Sequence, residues 1–239
     1  MKSPMAHRWR EFILHRLEFR TLAGLGAVGA ALWAFLAIAD EVGEQGTLSL
    51  DTRLLLMLRT PGRPSDPIGP RWFEEAMRDV TALGGFTFLT LFVVIAVACL
   101  AFYGKRRQAI VLGVTILLAE VVNDGLKVLF GRARPVLVPH ESYVYSHSFP
   151  SGHSALSAAT FLTTAAILSS LEQRKSAKGF VFGIAVLLTA AIGLSRVYLG
   201  VHWPSDVVGG WALGATWALA ARLALSLWRG PGPPEIPRS

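Results

Sequence analysis

Three short polar clusters interrupt an otherwise apolar chain: Lys127-x6-Arg134-Pro135, Pro150-Ser151-Gly152-His153, and Ser195-Arg196-x5-His202-x3-Asp206. Each lies at the edge of a long apolar run. Together they supply three cations, two histidines, a carboxylate and a glycine turn. Such a set suits holding and cleaving a phosphate ester: cations grip the oxygens, and imidazoles attack or move protons. Charged groups at a membrane boundary are costly unless something uses them.

Each cluster has its own chemistry and its own plainer alternative. In the last, Pro204 is placed as the first residue of a helix. His202 and Asp206 are four apart and share one helical face or end. A carboxylate there accepts a proton from one imidazole nitrogen and leaves the other free to attack. Arg196 reaches the same point from the preceding helix. The pair alone also fits a histidine in a helix cap beside a satisfied aspartate. In the middle cluster, a Pro-Ser-Gly turn entering a helix exposes backbone N–H groups where the helix dipole favours an anion. Ser151 adds a hydroxyl donor, Gly152 permits close backbone approach, and His153 is placed to protonate a leaving oxygen. The same residues also fit an N-cap serine with an incidental histidine. In the first cluster, Lys127 supplies a point charge and Arg134 a planar fork for phosphate oxygens. Pro135 ends any helix and fixes the turn after Arg134. A snorkelling lysine and an interfacial arginine are the alternative, and that description suits Arg132 well.

The elements that position these residues are transmembrane. The 239 residues are 52% hydrophobic and only 16% charged, which argues against an ordinary soluble domain. The net charge of +7 does not form a basic face interleaved with aromatics, so nucleic acid is not an expected partner. Cys99 is the only cysteine, which excludes an internal disulfide and a thiolate metal site. A helix needs about 20 apolar residues to cross a bilayer. Six stretches serve: 22–38, 86–103, 109–126, 155–171, 179–194 and 207–228. The expected fold is all-α, a six-transmembrane helical bundle forming one domain over 22–228. A basic N-terminal segment (1–21) precedes it and a proline-rich, disordered tail (229–239) follows.

Loop charge orients the bundle. Lys and Arg dominate the N-terminal segment, Lys105-Arg106-Arg107, and the Arg174, Lys175 and Lys178 loop. Excess basic residues mark cytoplasmic loops, so both termini are expected in the cytoplasm. The longest outward loop, 40–79, carries more acids than bases, and its four prolines break any long helix. Residues 71–80 suit a short amphipathic interfacial helix with Trp72 and Phe73 as anchors. The first span has a basic flank and the small-residue run Ala37-Ile38-Ala39, as a cleaved signal peptide would, but it exceeds a usual signal core and is expected to stay uncleaved. All three polar clusters then fall on the outward face, where the positive-inside rule disfavours the two bases of the first, Lys127 and Arg134.

Taken jointly, the clusters resemble the three signatures of the type 2 phosphatidic acid phosphatase family, which also includes vanadium haloperoxidases. They occur in order, without a substituted signature residue, over 127–206. The resemblance implies that His202 is a nucleophile forming a phosphohistidine, that Asp206 orients it, and that His153 protonates the leaving group. Lys127, Arg134, Ser151, Gly152 and Arg196 would bind phosphate, with no metal or other cofactor. It implies a lipid phosphatase at the outer face of the cytoplasmic (inner) membrane, acting on a lipid phosphate or diphosphate whose tail stays in the bilayer. Phosphatidic acid, phosphatidylglycerophosphate, a polyprenyl diphosphate and a lipid A phosphate all fit.

Other residues and functions carry less. Glu120, Asn123 and Asp124 are polar groups within the third span. Asp124 either pairs with a cation of the site or marks where the helix leaves the membrane. His140 and His147 read as loop polar residues, Tyr143 and Tyr145 as interfacial ones. A phosphotransferase would use the same phosphohistidine and differ only in its acceptor. A transporter would place its charges near the bilayer midplane rather than at one surface. The oligomeric state is not encoded in any motif.

Overall fold

The computed structural model describes residues 4–136 and 146–228. His140, Tyr143, Tyr145 and the expected tail at 229–239 lie outside them. The elements run α1 (Pro4–Gly43), α2 (Leu48–Leu56), β1 (Arg59–Thr60), β2 (Arg63–Pro67), α3 (Arg71–Ala82), α4 (Phe86–Phe102), α5 (Arg106–Phe130), α6 (Gly152–Leu171), α7 (Lys175–Tyr198) and α8 (Pro204–Leu227). Among the described residues five helices are long and apolar enough to span a membrane alone: Thr21–Gly43 of α1, and α5 to α8.

The expected second span is α4, which is short for a span on its own. At 17 residues, α4 covers only about 26 Å at the helical rise, short of a hydrocarbon core of about 30 Å. It qualifies together with α3, from which it is bent by 46°. The break falls at Leu83-Gly84-Gly85, where two glycines in succession weaken the helix. The sequence suggests α3 as a separate interfacial helix, and its strong amphipathicity agrees. Trp72 is 68% exposed, as an interfacial anchor should be. Phe73 is not such an anchor: its ring meets Tyr198 edge-on at 5.1 Å. α3 therefore packs on the end of α7.

The segment between α2 and α3 also holds a small antiparallel hairpin, β1 with β2, that the sequence reading lacks. Its buried Arg59 donates through Nη2 to the carbonyls of Tyr198 at 2.8 Å and Val197 at 3.3 Å. A cation on the last carbonyls of a helix satisfies orphan acceptors and matches the helix dipole. The hairpin thus caps α7 just beyond Arg196.

Helix α6 is the centre of the bundle, packed against α8 on one side and α7 on another. Its inward residues Ala155, Ala158, Ala159, Ser154 and Ser157 are small and buried. Opposite them α8 presents Gly210-x3-Gly214, the small-residue spacing that lets membrane helices approach closely. A Cβ on Gly210 would stand 2.8 Å from the Ser151 carbonyl oxygen, and one on Gly214 2.5 Å from Ala158 Cβ. Phe149, fully buried, stacks on Phe35 of α1 at 5.8 Å and meets Phe130 of α5 edge-on at 5.0 Å. That ring fixes the strand of chain leading into α6. Gly214→Val is expected to destabilise the fold by about 3 kcal/mol, the upper range of overpacking, because backbone rather than a flexible side chain blocks it. Thermal unfolding in detergent measures this, and an unchanged midpoint would contradict the close α6–α8 contact.

Candidate active site

The C-terminal ends of α5 and α7 converge with the N-terminal ends of α6 and α8 at one end of the bundle. α5 stops at Phe130, with Gly131 in the left-handed region at φ 57. The helix therefore ends four residues earlier than Pro135 alone would impose, and Arg132 and Arg134 lie on the loop beyond it. At the end of α7, Gly200 N–H bonds to Val197 O at 2.9 Å and Val201 N–H to Arg196 O at 3.1 Å. This double closure needs a left-handed residue after the cap, and Gly200 supplies it at φ 72. The turn delivers His202 to the start of α8, where Pro204 takes the first helical position as expected.

Asp206, with 0% exposure, organises that turn. Its Oδ2 accepts the Trp203 backbone N–H at 2.9 Å, the Ser148 hydroxyl at 2.5 Å, and faces His202 Nδ1 at 3.3 Å. Its Oδ1 accepts from Arg132 Nη1 at 2.6 Å. On the other side of the imidazole, Arg134 Nη1 stands 3.0 Å from His202 Nε2. A guanidinium has no acceptor, so Nε2 presents its lone pair to Arg134 and the ring proton sits on Nδ1. Burial pushes the His202 imidazole down to about 3; Asp206 pulls it up, and the charges of Arg196 and Arg134 add to the downward push. His202 is therefore neutral and oriented, with the lone pair of Nε2 on the side of the cations.

The other two clusters join at this point. Ser151 N–H bonds to the Asp206 backbone carbonyl at 3.1 Å, tying the start of α6 to the start of α8. That N–H is consequently occupied rather than open to an anion. The Ser151 side chain makes no cap bond; its oxygen accepts from Ser154 Oγ at 3.1 Å, which leaves its own proton to donate. Ser151 thus holds the N-cap position of α6, as the plainer alternative has it, but with its hydroxyl not used for capping. Lys127 Nζ lies 3.2 Å from where a Cβ on Gly152 would stand, so the absence of a side chain there lets the ammonium reach the turn. His153 is half-buried against the α3–α4 break: a Cβ on Gly84 would lie 3.3 Å from its Cδ2, and one on Gly85 4.0 Å from its Nε2. Arg196 is buried and donates from Nη1 to Thr81 Oγ1 at 3.0 Å. Arg134 is further held by Val201 O at 2.7 Å and Ser146 O at 3.0 Å.

Arg132 is no snorkelling side chain. Its guanidinium bridges Asp206 and Asp51 of α2, at 2.6 and 2.8 Å. Sequence reasoning missed it, together with Asp51 and Ser148, because their partners lie in other segments of the chain. Asn123 was noted only as a polar group in a span. It is 1% exposed, its Nδ2 lies 3.3 Å from the Gly152 Cβ position, and its Oδ1 has no partner among the described residues. Asp124 is exposed and forms no ion pair among the described residues. Glu120 lines a 250 Å³ apolar cavity between α4 and α5. His147 is exposed.

Residues 108–229 match the PAP2 superfamily. The chain is 33% identical over 186 residues to phosphatidylglycerophosphatase B of Bacillus subtilis, covering 75% of this chain and 85% of that protein. It is 29% identical over 121 residues to an undecaprenyl-diphosphatase of Sulfolobus acidocaldarius, covering 48% of this chain and 54% of that one. Among solved structures, the transmembrane PAP2-type phosphatidylglycerolphosphate phosphatase from B. subtilis superposes with TM-score 0.71 at 30% identity, over 82% of this chain and 94% of that one. LpxE of Aquifex aeolicus gives 0.51 at 25% identity, over 73% and 93%.

The depressed basicity of His202 has a stability consequence. Folding favours its neutral form, so the stabilisation is complete above the ordinary value of 6.5 and is lost as pH falls toward about 3. The unfolding midpoint of the wild type should fall between pH 7 and pH 4 more steeply than that of His202→Asn, whose side chain does not titrate. Parallel curves would show that His202 is not held neutral.

Proposed function

The chain belongs to the PAP2 superfamily, and on that footing we propose that it is a multi-pass membrane lipid phosphatase working through a phosphohistidine on His202. The observation that carries this reading is the placement of His202, with Nε2 3.0 Å from Arg134 Nη1 and Asp206 behind the opposite ring nitrogen.

A phosphate placed among Lys127, Arg134 and Arg196 presents its phosphorus to Nε2. Those cations, the Ser151 hydroxyl and the free N–H groups at the start of α6 take up its oxygens. The lone pair of Nε2 forms the P–N bond as the bond from phosphorus to the leaving oxygen breaks. His153 gives that oxygen its proton. The imidazolium that results keeps its Nδ1 proton, and the Asp206 carboxylate stabilises the charge. Water then attacks phosphorus from the vacated side, His153 takes the water proton, and the P–N bond breaks to release phosphate and neutral His202. Charge neutralisation falls to side chains in this scheme, so no metal ion is required.

The substrate class follows from where the site lies. It opens at one end of the transmembrane helices, so a phosphorylated headgroup reaches it while the tail stays in lipid. By the loop charges that end is extracytoplasmic, both termini are cytoplasmic, and residues 22–228 form one domain in the cytoplasmic membrane. Phosphatidylglycerophosphate is the first candidate, since the relative aligned over most of the chain carries that name. His202→Ala is expected to abolish phosphate release from phosphatidylglycerophosphate, phosphatidic acid and a polyprenyl diphosphate alike, with the protein still folded. Wild-type-like release by that folded variant would sink the mechanism.

A further inference from the structure

Arg132 fills an unspecified position of the first motif, yet its side chain is only 11% exposed and every polar contact it makes is directed. Nη1 donates to Asp206 Oδ1 at 2.6 Å and to Ser205 Oγ at 2.7 Å. Nη2 donates to Asp51 Oδ2 at 2.8 Å and to Thr47 Oγ1 at 3.1 Å. The guanidinium carbon lies 5.9 Å from the Trp203 ring centre, and Trp203 Nε1 is itself fixed on Ala133 O at 3.0 Å. Asp51 is 2% exposed and comes from α2, far away in sequence. It accepts the Ser205 backbone N–H at 2.9 Å and the Ser205 hydroxyl at 2.5 Å. Burial of an Asp–Arg–Asp group costs desolvation, so its retention beside a reacting histidine needs a reason.

The charges supply one. An arginine paired only to Asp206 would neutralise the carboxylate that must stabilise the His202 imidazolium. With Asp51 on the second nitrogen, the guanidinium is shared between two carboxylates and one net negative charge remains on the side of His202 opposite the phosphate cations. The planar fork of arginine suits this bridging, whereas a lysine ammonium is a point donor.

We propose that Asp51 and Arg132 are positioning residues for the phosphoryl-transfer step: Arg132 fixes the Asp206 carboxylate, and Asp51 fixes Arg132 and preserves the negative charge that His202 requires. This rests on His202 being the nucleophile. Neither residue touches the substrate, so their loss acts on the rate of the chemical step and not on substrate binding.

The test uses full-length protein in detergent with phosphatidic acid in mixed micelles. Wild type, Asp51→Asn, Arg132→Lys, the double variant and His202→Ala are compared for kcat, KM, unfolding midpoint and rapid-quench formation of phosphoenzyme. Asp51→Asn and Arg132→Lys should each lower kcat and the rate of phosphoenzyme formation by at least about tenfold, the scale of a misoriented reacting group, with KM within about twofold. The double variant should be no slower than the slower single one, because the two act as a unit. Wild-type kcat in folded Asp51→Asn or Arg132→Lys, or a loss expressed through KM, overturns the proposal. If Asp51→Asn does not fold, Arg132→Lys decides alone; failure of both to fold overturns it in favour of a purely structural clamp. Phosphoenzyme formation by His202→Ala would instead overturn the nucleophile on which the proposal rests.

Discussion

A carboxylate with no solvent contact must find its donors inside the protein, since an unpaired buried charge costs several kcal/mol. Asp206 finds four, and they come from the turn it belongs to, the chain leading into α6, and the loop leaving α5. Satisfying this one group therefore places Ser148, Arg132, Trp203 and His202 relative to each other. The imidazole proton is fixed on the Asp206 side, and Nε2 is left on the side where Arg134 waits. The polarity of the site, negative behind the histidine and positive in front of it, follows from that arrangement.

Helix packing makes the convergence possible. Gly210 and Gly214 bring α8 against the backbone of α6, and the Ser151 N–H closes on the Asp206 carbonyl as a result. Larger residues at those positions would separate the Pro-Ser-Gly-His turn from the histidine it must serve. The segment from α2 to the end of α3 completes the frame from the other side: Arg59 caps α7, Thr81 holds Arg196, and Asp51 holds Arg132. A segment that resembles a connector by composition thus supports two cations of the site.

The spans and the three clusters were legible because they depend on local pattern: apolar run length, and charges where a bilayer makes them costly. Pro204 and the glycine turn were legible for the same reason. Arg132 was misread as a snorkelling side chain because its partner Asp51 lies in another loop, and nothing local connects them. Ser148 and Asn123 were missed or undervalued likewise, since a serine in a loop and an asparagine in a span acquire meaning only from what packs on them. The apolar run from Phe86 to Tyr103 marked α4 correctly, but its bend against α3 depends on the glycine pair at 84–85 and is not set by apolar length. Phe73 looked like a lipid anchor until α7 supplied Tyr198 as its neighbour.

The central claim is that Nε2 of His202 is the nitrogen that bonds to phosphorus. Vanadate adopts the geometry of the phosphoryl group in transit and accepts a nitrogen ligand in the attacking position, so a crystal structure of the vanadate complex tests it directly. The account predicts vanadium bonded to His202 Nε2, its equatorial oxygens held by Lys127, Arg134 and Arg196, and His153 on the opposite side. Vanadium bonded to His153, or held without a bond to His202, would contradict it.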